Sequence, residues 1–404
     1  MKNKNQIKRL YAGLPIVKEA RTWAEIDLDA LCHNYRTVAE HVASYATKRS
    51  IPIICVVKAD AYGHGAGAIT RALLDEGGRF FAVSCLEEAV ELRGVCREMG
   101  ADADILILGY TRPSLAPILA KADLITALPS AEYARELAAV ARASGVCVRA
   151  HVKLDTGMNR IGFPAHTEAE IGEAIHDIAL LTRESGLSVE GLFTHFARAD
   201  EDAELYPSGL TDVQQKRFFA VKNGLDALGV PPLMCHVCNS AGAIRLPDCA
   251  LDAVRVGISL YGCAPSEVLD VLPLRPVMRL VTMISHIHTL RAGESVSYGG
   301  IYTATEERRI ATLPVGYADG FIRAYSGASV RITTKTGEIR APIVGRICMD
   351  QCMVDITDTD AAVGDAVTLF GTEPSDIADL ARRAGTIPYE VLCLVSARVP
   401  RRYI

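Results

Sequence analysis

The sequence predicts an α/β fold in which a (β/α)8 TIM barrel is followed by a C-terminal, mostly β domain. Three features lead to this prediction. Short apolar runs alternate with longer amphipathic stretches between positions 51 and 260. Several amphipathic stretches end before a glycine, the residue that most readily closes a helix. After Tyr261 the runs become β-branched and are separated by Gly and Pro, which is typical of β structure.

The apolar runs have the length and composition of buried parallel strands. In chain order they are IICVVK, FFAVSC, DILILG, LITAL, CVRAHVKL, VEGLFTH, LMCHVC and AVRVGISL. The clearest helical segments between them are 69–76, 86–99, 131–144 and 212–228. Eight strand and helix units fit a TIM barrel of roughly 200 to 250 residues. A doubly wound open sheet carries a similar number of units, so this rhythm leaves both architectures open.

The segments on either side of the barrel differ from it. TWAEIDLDALCHNYRTVAEHV predicts a strand through Ile26 and Leu28, then a helix capped by Asp29. We expect that strand to join the β domain, in which SDIADLARRAG is the one clear helix candidate. The predicted division is 1–29 as an N-terminal segment, 30–270 as the barrel and 271–404 as the β domain.

Composition narrows the classes of function. The chain has 404 residues, and 50% of them are hydrophobic, which is enough for more than one core. Its formal net charge of -5 provides no basic field, so nucleic acid is not the expected partner. The first ten residues lead into no apolar signal core, and no later run approaches the ~20 apolar residues of a membrane span. We expect a cytoplasmic protein that acts on a small molecule and does not bind membranes.

The twelve cysteines are scattered and mostly lie inside apolar runs. Buried thiols in a reducing compartment are the expected state. The alternative is a zinc site formed by Cys235 and Cys238 with Cys348 and Cys352. The spacing of the second pair does not favour it, and we predict no metal.

Polar side chains follow several of the predicted strands. In a TIM barrel the reacting groups lie at the carboxyl ends of the strands. A lysine that ends an apolar strand is costly unless its amine is used, because burial disfavours the ammonium form. A mostly cationic set indicates an anionic ligand such as a phosphate. The set consists of Lys58, Lys153, Arg160, His195, Asn239, Ser240 and Arg255.

An ordered series of motifs resembles the alanine racemase family from about residue 23 to residue 403. The motifs are VVKADAYGHG, KLDTGMNRIGF, THFARADE, NSAGAIRLP, VRVGISLYG, VSYGGIYTA, LPVGYADG, GRICMDQ and IPYE. The resemblance implies a barrel with a C-terminal β domain, pyridoxal 5'-phosphate as cofactor, and interconversion of L-alanine and D-alanine by two bases. It also implies D-alanine supply for peptidoglycan and a head-to-tail homodimer with shared active sites.

The resemblance assigns roles to individual residues. Lys58 would bind the cofactor aldehyde covalently and serve as one base, and Tyr298, from the second subunit, would be the other. Arg255 would face the pyridine nitrogen, His195 would hold Arg255, and Arg160 would meet the phenolic oxygen and the substrate. The residues implied at the cofactor phosphate or beside it are Tyr62, Asn239, Ser240, Gly257, Ile258 and Tyr389.

Further roles concern the substrate. Met349 and Asp350 would meet its carboxylate from the partner chain, and the Tyr389 ring would limit pocket size, which favours alanine over serine. Lys153 matches a lysine that many relatives carry as a carbamate. Residues implied along the access channel are Tyr317, Arg346, Arg323, His236 and Asp200. The sequence departs from the family pattern at Asn159, where glycine is common.

Three alternatives remain beside alanine racemisation. A serine or broad-specificity racemase would use the same groups. A decarboxylase of basic amino acids shares the domain plan, but it ordinarily has an acidic residue where this chain has Arg255. A non-catalytic pyridoxal-phosphate-binding regulator is usually a barrel alone, which residues 271–404 argue against.

Overall fold

A computed structural model describes residues 19–45, 51–201 and 209–404 of the chain. The described residues form two compact units. One unit is Asp29–Arg275, and the other joins the residues up to Leu28 to Pro276–Ile404. The second unit is therefore discontinuous in sequence.

Strands and helices are numbered here in chain order. The strands are β1 (Thr22–Ile26), β2 (Ile53–Val56), β3 (Phe80–Val83), β4 (Asp104–Ile107), β5 (Ile125–Leu128), β6 (Val148–Asp155), β7 (Phe163–Pro164), β8 (Leu187–Phe193), β9 (Met234–His236), β10 (Val254–Val256), β11 (Met278–Met283), β12 (His286–Leu290), β13 (Ser295–Val296), β14 (Tyr302–Thr303), β15 (Arg308–Leu313), β16 (Ser329–Thr333), β17 (Glu338–Val344), β18 (Cys352–Asp355), β19 (Ala366–Phe370) and β20 (Arg401–Tyr403). The helices are α1 (Leu28–Tyr45), α2 (Ala66–Asp75), α3 (Leu86–Glu98), α4 (Ala116–Lys121), α5 (Ala131–Ala143), α6 (Glu168–Leu181), α7 (Leu210–Ala227), α8 (Ser240–Arg245), α9 (Pro374–Ala384) and α10 (Pro388–Leu394).

Parallel strands of the first unit form a barrel. Their order is β10-β2-β3-β4-β5-β6-β8-β9, and the short strand β7 pairs with β6. Backbone hydrogen bonds also join the two ends of this order, from Asp252 N to Cys235 O (2.9 Å) and from Arg255 N to Cys238 O (3.0 Å). These bonds nearly close the sheet into a barrel, so the predicted fold class is confirmed and the open doubly wound alternative is excluded.

Glycines end four of the barrel helices where the sequence predicted. Gly77, Gly100, Gly145 and Gly229 follow α2, α3, α5 and α7, and all four have positive φ. A side chain other than glycine is unfavourable in this conformation, which explains why the helical pattern stops there.

Helix α1 starts earlier than the sequence predicted. The pairing of β1 ends at Ile26, and the helix begins at Leu28, so Leu28 is not part of the strand. Asp29 lies in the first turn and is not the cap. The buried side of the helix includes Leu31, Val38 and Val42.

The second unit contains a nine-stranded sheet and the two-stranded sheet β13-β14. The larger sheet has the order β12-β15-β18-β17-β16-β19-β11-β1-β20. Strand β1 pairs antiparallel with β11 and parallel with β20, so the strand before the barrel lies inside this sheet. In the part of the chain that the structure describes, no helix is both long and apolar enough to cross a membrane.

Candidate active site

Lys58 follows β2 directly after Val57 and enters an unusual turn. Residues 59–62 all have φ near +53°, although none is glycine. Each residue in this left-handed conformation costs roughly 1 kcal/mol or more. Two side chains hold the turn: Glu88, from a different helix, accepts the N–H of Ala59 at 2.7 Å, and Asp60, within the turn, accepts that of Ala66 at 2.7 Å. No pattern in the sequence predicts this conformation.

A tight cradle lies beside the turn. The Tyr62 ring is buried and packs on the Tyr261 ring with centroids 4.7 Å apart. A Cβ atom built on Gly257 would lie only 2.5 Å from the Tyr62 hydroxyl oxygen, so only glycine fits there. The Gly257 N–H donates to Ser240 Oγ at 2.9 Å, and the buried Ile258 follows. The structure thus brings together four residues that the sequence predicted for the phosphate.

Asn239 has a supporting position next to this cradle. Its side-chain oxygen accepts the Gly242 N–H at 2.9 Å and caps helix α8, and its amide nitrogen donates to Phe196 O at 3.3 Å. Asn239 therefore fixes the start of the helix on which Ser240 is the first residue.

Arg255 is buried on strand β10. Its guanidinium donates to the backbone oxygens of His236 (2.7 Å), Thr194 (2.7 Å) and Val237 (3.1 Å). Burial lowers the pKa of Arg255 to about 10, so the group keeps its proton at neutral pH. A fixed, charged donor is therefore available at the end of the barrel.

Two histidines, His195 and His236, lie beside the Arg255 guanidinium. The position of His236 differs from the one that the resemblance implies. Arg255 Nη1 lies 2.8 Å from His236 Nδ1, whereas the distance from Nη2 to His195 Nδ1 is 3.4 Å. His236 is fully buried, a position that does not fit the access channel that the resemblance implies. Burial, followed by the charge of Arg255, holds the pKa of both histidines well below its usual range. They therefore remain neutral beside the guanidinium.

Strand β6 supplies a row of polar side chains at alternate positions. Arg149, His151, Lys153 and Asp155 share one side of the strand, as the period of two requires. His151 Nδ1 lies 2.9 Å from His236 Nε2, and Lys153 Nζ donates to Leu154 O at 2.8 Å. His151 and Asp155 belong to none of the roles predicted from the sequence, although the alternation in CVRAHVKLD places both on this side of the strand.

Lys153 and Arg160 share this environment. Lys153 is buried, and burial, followed by the charge of Arg255, lowers its pKa to about 7. Arg160 has an exposed side chain, and its charge also lowers the pKa values of Lys153, His195 and Arg255. The Arg160 charge therefore acts on the same group of side chains at the barrel end.

The second unit brings the predicted substrate-side residues together. Tyr298, Met349 and Asp350 line one surface pocket of about 520 Å³. Their side chains are well exposed, with Tyr298 at 71% and Met349 at 53%. Arg398 holds Asp350 at 2.6 Å and the buried Asp319 at 2.7 Å. The sequence did not single out Arg398, because its partners are distant along the chain.

The remaining predicted residues have less defined surroundings. A Cβ on Gly299 would lie 2.6 Å from Arg346 Nη1, so Arg346 packs against the turn that carries Tyr298. Tyr317 lies at the start of a 3-10 turn and is 40% exposed, and its N–H donates to Cys348 O at 3.0 Å. Arg323 and Asp200 are exposed, and Tyr389 is half-buried in α10.

No cluster of three or more His, Cys, Asp or Glu residues suited to a metal occurs within 19–45, 51–201 and 209–404. Cys235, Cys238 and Cys352 are buried thiols. Burial raises the pKa of Cys235 and Cys238 to about 12, which keeps both protonated.

Comparison with known proteins places the chain in a family. The model of the alanine racemase N-terminal domain matches residues 26–265, and the model of the C-terminal domain matches residues 277–403. The chain belongs to the alanine racemase family. Alanine racemase 1 of Clostridium acetobutylicum is 41% identical over 388 residues, which is 95% of each chain. The alanine racemase of Clostridium tetani is also 41% identical, over 95% of each chain.

Solved structures of the family agree with this fold. The alanine racemase of Clostridium difficile 630 has a TM-score of 0.84 and 39% identity, and the match covers 95% of this chain and 96% of the other. The alanine racemase from Bacillus anthracis with bound L-Ala-P has a TM-score of 0.82 and 33% identity, over 95% of each chain. The resemblance that the motifs indicated is thereby confirmed.

Proposed function

We propose that the protein interconverts L-alanine and D-alanine with pyridoxal 5'-phosphate as its cofactor, and so supplies D-alanine for peptidoglycan. The observation that carries this proposal is the position of Lys58. Its side chain follows a barrel strand, four residues before Tyr62, whose hydroxyl reaches the backbone at Gly257. An amine next to an anion cradle is what the phosphate and aldehyde of this cofactor require.

The residues present fit the cofactor. Backbone N–H groups and hydroxyls, such as those of Tyr62, Ser240, Gly257 and Ile258, are good donors to a phosphate. The Cβ that Gly257 lacks would occupy the space beside the Tyr62 hydroxyl. The charge agrees as well, because the buried Arg255 guanidinium near His195 keeps its proton and favours an anionic ligand. These residues would hold the phosphate and the ring.

The chain's own groups then have distinct tasks. When bound, pyridoxal phosphate withdraws electrons from the substrate and acidifies its α-hydrogen. Lys58 would hold the cofactor through its amine and would move the proton on one face of the substrate α-carbon. Arg255 would donate a hydrogen bond to the ring nitrogen without giving up its proton, which would restrain electron withdrawal and disfavour side reactions. The neutral His195 and His236 keep Arg255 in place.

Racemisation requires a second base on the opposite face. We assign this role to Tyr298, and carboxylate binding to Met349 and Asp350, in the exposed pocket of the second unit. Exposure of Tyr298 and Met349 on one chain supports a head-to-tail homodimer in which a second copy covers them. Each site would then combine the barrel end of one subunit with this pocket of its partner.

The test is chiral analysis of the product from L-alanine. The purified protein should be yellow, release D-alanine, and keep the cofactor on Lys58 after borohydride reduction. Lys58→Ala should abolish all three results, whereas Lys121→Ala, at the end of α4, should abolish none. Release of carbon dioxide would identify a decarboxylase, and cofactor binding without turnover would identify a regulator. Faster conversion of serine than of alanine would contradict the selectivity assigned to Tyr389.

A further inference from the structure

Arg160 lies in a loop whose two ends are held side by side. The loop leaves β6 at Asp155 and returns at β7, where Leu154 pairs with Phe163 and Asp155 with Pro164. The Ala165 N–H then donates to Asp155 O at 3.0 Å. A Cβ on Gly162 would lie 2.5 Å from Asp155 N, so the returning strand approaches β6 as closely as the backbone allows.

The interior of this loop is wrapped around one carboxylate. Asp155 Oδ1 accepts the N–H groups of Gly157 and Asn159, both at 3.0 Å, and Oδ2 accepts that of Arg160 at 3.1 Å. Asp155 is buried, which makes the loss of any of these bonds costly. Burial alone would raise its pKa, but the three backbone donors outweigh burial and lower it. The side chain is therefore an anion at neutral pH.

Without the Asp155 carboxylate, the backbone conformation of this loop would be strained. Asn159 has φ of +54°, a conformation that costs free energy for any residue other than glycine, although Asn tolerates it better than most. Successive N–H groups that converge on one point also repel one another unless an acceptor sits between them. The carboxylate of Asp155 supplies that acceptor and so fixes the backbone of Arg160.

We propose that Asp155 is the positioning residue of the site: its carboxylate sets the place of Arg160 and thereby the contact of Arg160 with the cofactor and substrate. The inference rests on the proposed function, in which Arg160 meets the phenolic oxygen of the cofactor and the substrate. A guanidinium on a loose loop would lose the orientation that makes two hydrogen bonds to one anion favourable.

The experiment is a double-mutant cycle of Asp155→Asn and Arg160→Ala. Asparagine keeps the shape of aspartate but turns one acceptor into a donor that faces N–H groups. The readouts are the dissociation constant of pyridoxal phosphate from the apoprotein, the absorbance maximum of the bound cofactor, and KM and kcat for alanine. Asp155→Asn should shift the absorbance maximum and lower kcat/KM by roughly tenfold to a hundredfold.

Coupling between the two positions decides the result. If Asp155 acts through Arg160, Asp155→Asn should change none of these readouts further in the Arg160→Ala background. Independent, multiplicative losses would overturn the proposal. Glu170→Gln is the matched control, because Glu170 also accepts two backbone N–H groups, from His166 and Thr167, but none from Arg160. It should leave the absorbance maximum unchanged.

A failure to fold and a failure of the proposed function can both be distinguished from a failure of this inference. If Asp155→Asn does not fold, Asp155→Glu keeps the charge, displaces it by one methylene, and enters the same cycle with the same criterion. If the wild type binds pyridoxal phosphate but does not racemise alanine, coupling in the dissociation constant still supports this inference while the proposed function fails. A wild-type racemase without coupling overturns this inference alone.

Discussion

Tyr298 and Lys58 are assigned to opposite faces of the substrate α-carbon, so loss of one should affect the two enantiomers differently. We expect Tyr298→Phe to stop exchange of the α-hydrogen of L-alanine with deuterated solvent. Exchange in D-alanine, which is assigned to Lys58 on the other face, should continue. Racemisation should slow by roughly 100-fold or more, because a positioned base contributes about that much. Mass and chiral analysis of the recovered substrate measure both quantities.

The control for this experiment is Tyr302→Phe. Tyr302 belongs to the neighbouring strand β14, and its hydroxyl donates to Asp355 at 3.1 Å, outside the pocket that contains Tyr298. Tyr302→Phe should leave α-hydrogen exchange of both enantiomers unchanged. Equal slowing of exchange in both enantiomers after Tyr298→Phe would remove Tyr298 from its assigned role.

Lys153 should carry a carbamate. Carbon dioxide reacts only with a neutral amine, and the pKa of Lys153, lowered by burial and Arg255 to about 7, makes the amine mostly neutral at pH 8. The product would be an anion among the charges of Arg255 and Arg160. We expect ¹³C-bicarbonate to give a carbamate resonance that is present at pH 8 and lost as the pH falls below 7, because the amine is then protonated.

The matched comparison for this residue is Lys222 in the same unit. It pairs with Asp226 at 2.6 Å, and that hydrogen bond raises its pKa, so its amine stays protonated. Lys153→Gln should abolish the resonance and Lys222→Gln should leave it intact. A resonance that survives Lys153→Gln would contradict the assignment.

At the scale of elements, the approach of β10 to the left-handed turn after β2 defines the proposed phosphate cradle. Gly257→Ala would place a methyl group 2.5 Å from the Tyr62 hydroxyl, so one of them must move. We expect the apoprotein to bind pyridoxal phosphate at least roughly tenfold more weakly, since a displacement near 1 Å is enough for such a loss. Absorbance titration of the apoprotein measures the change.

Gly94→Ala is the control for the cradle. Gly94 lies inside helix α3, where a Cβ would meet nothing within 4 Å, and alanine favours a helix by about 1 kcal/mol. This variant should bind the cofactor normally and be slightly more stable. Unchanged cofactor affinity in Gly257→Ala would show that the cradle is not where the phosphate binds.

Patterns local in sequence predicted most elements. All eight barrel strands and the glycine-terminated helices were predictable, because hydrophobic runs and helix ends depend on neighbouring residues. The left-handed turn after Lys58 was not predictable from neighbouring residues, because the Glu88 side chain that holds it comes from a different helix. The burial of His236 beside Arg255 could not be predicted either, because these two residues come into contact only when β9 and β10 lie side by side in the folded barrel.

At the scale of the whole molecule, a single chain presents only half of each proposed site on its own. The barrel end of one chain would need the Tyr298 pocket of a second chain. This arrangement predicts complementation between two inactive variants, Lys58→Ala and Tyr298→Phe. A mixed dimer has both changes in one site and neither in the other, so one site is intact.

Mixing the two variants after unfolding and refolding should therefore restore activity to about a quarter of wild type, since half of the dimers are mixed and each has one working site. Each variant refolded alone sets the background. If Lys58 and Tyr298 served the same site from one chain, every dimer in the mixture would keep two damaged sites. Activity no higher than the two backgrounds, in a mixture shown by mass to contain mixed dimers, would exclude the shared site.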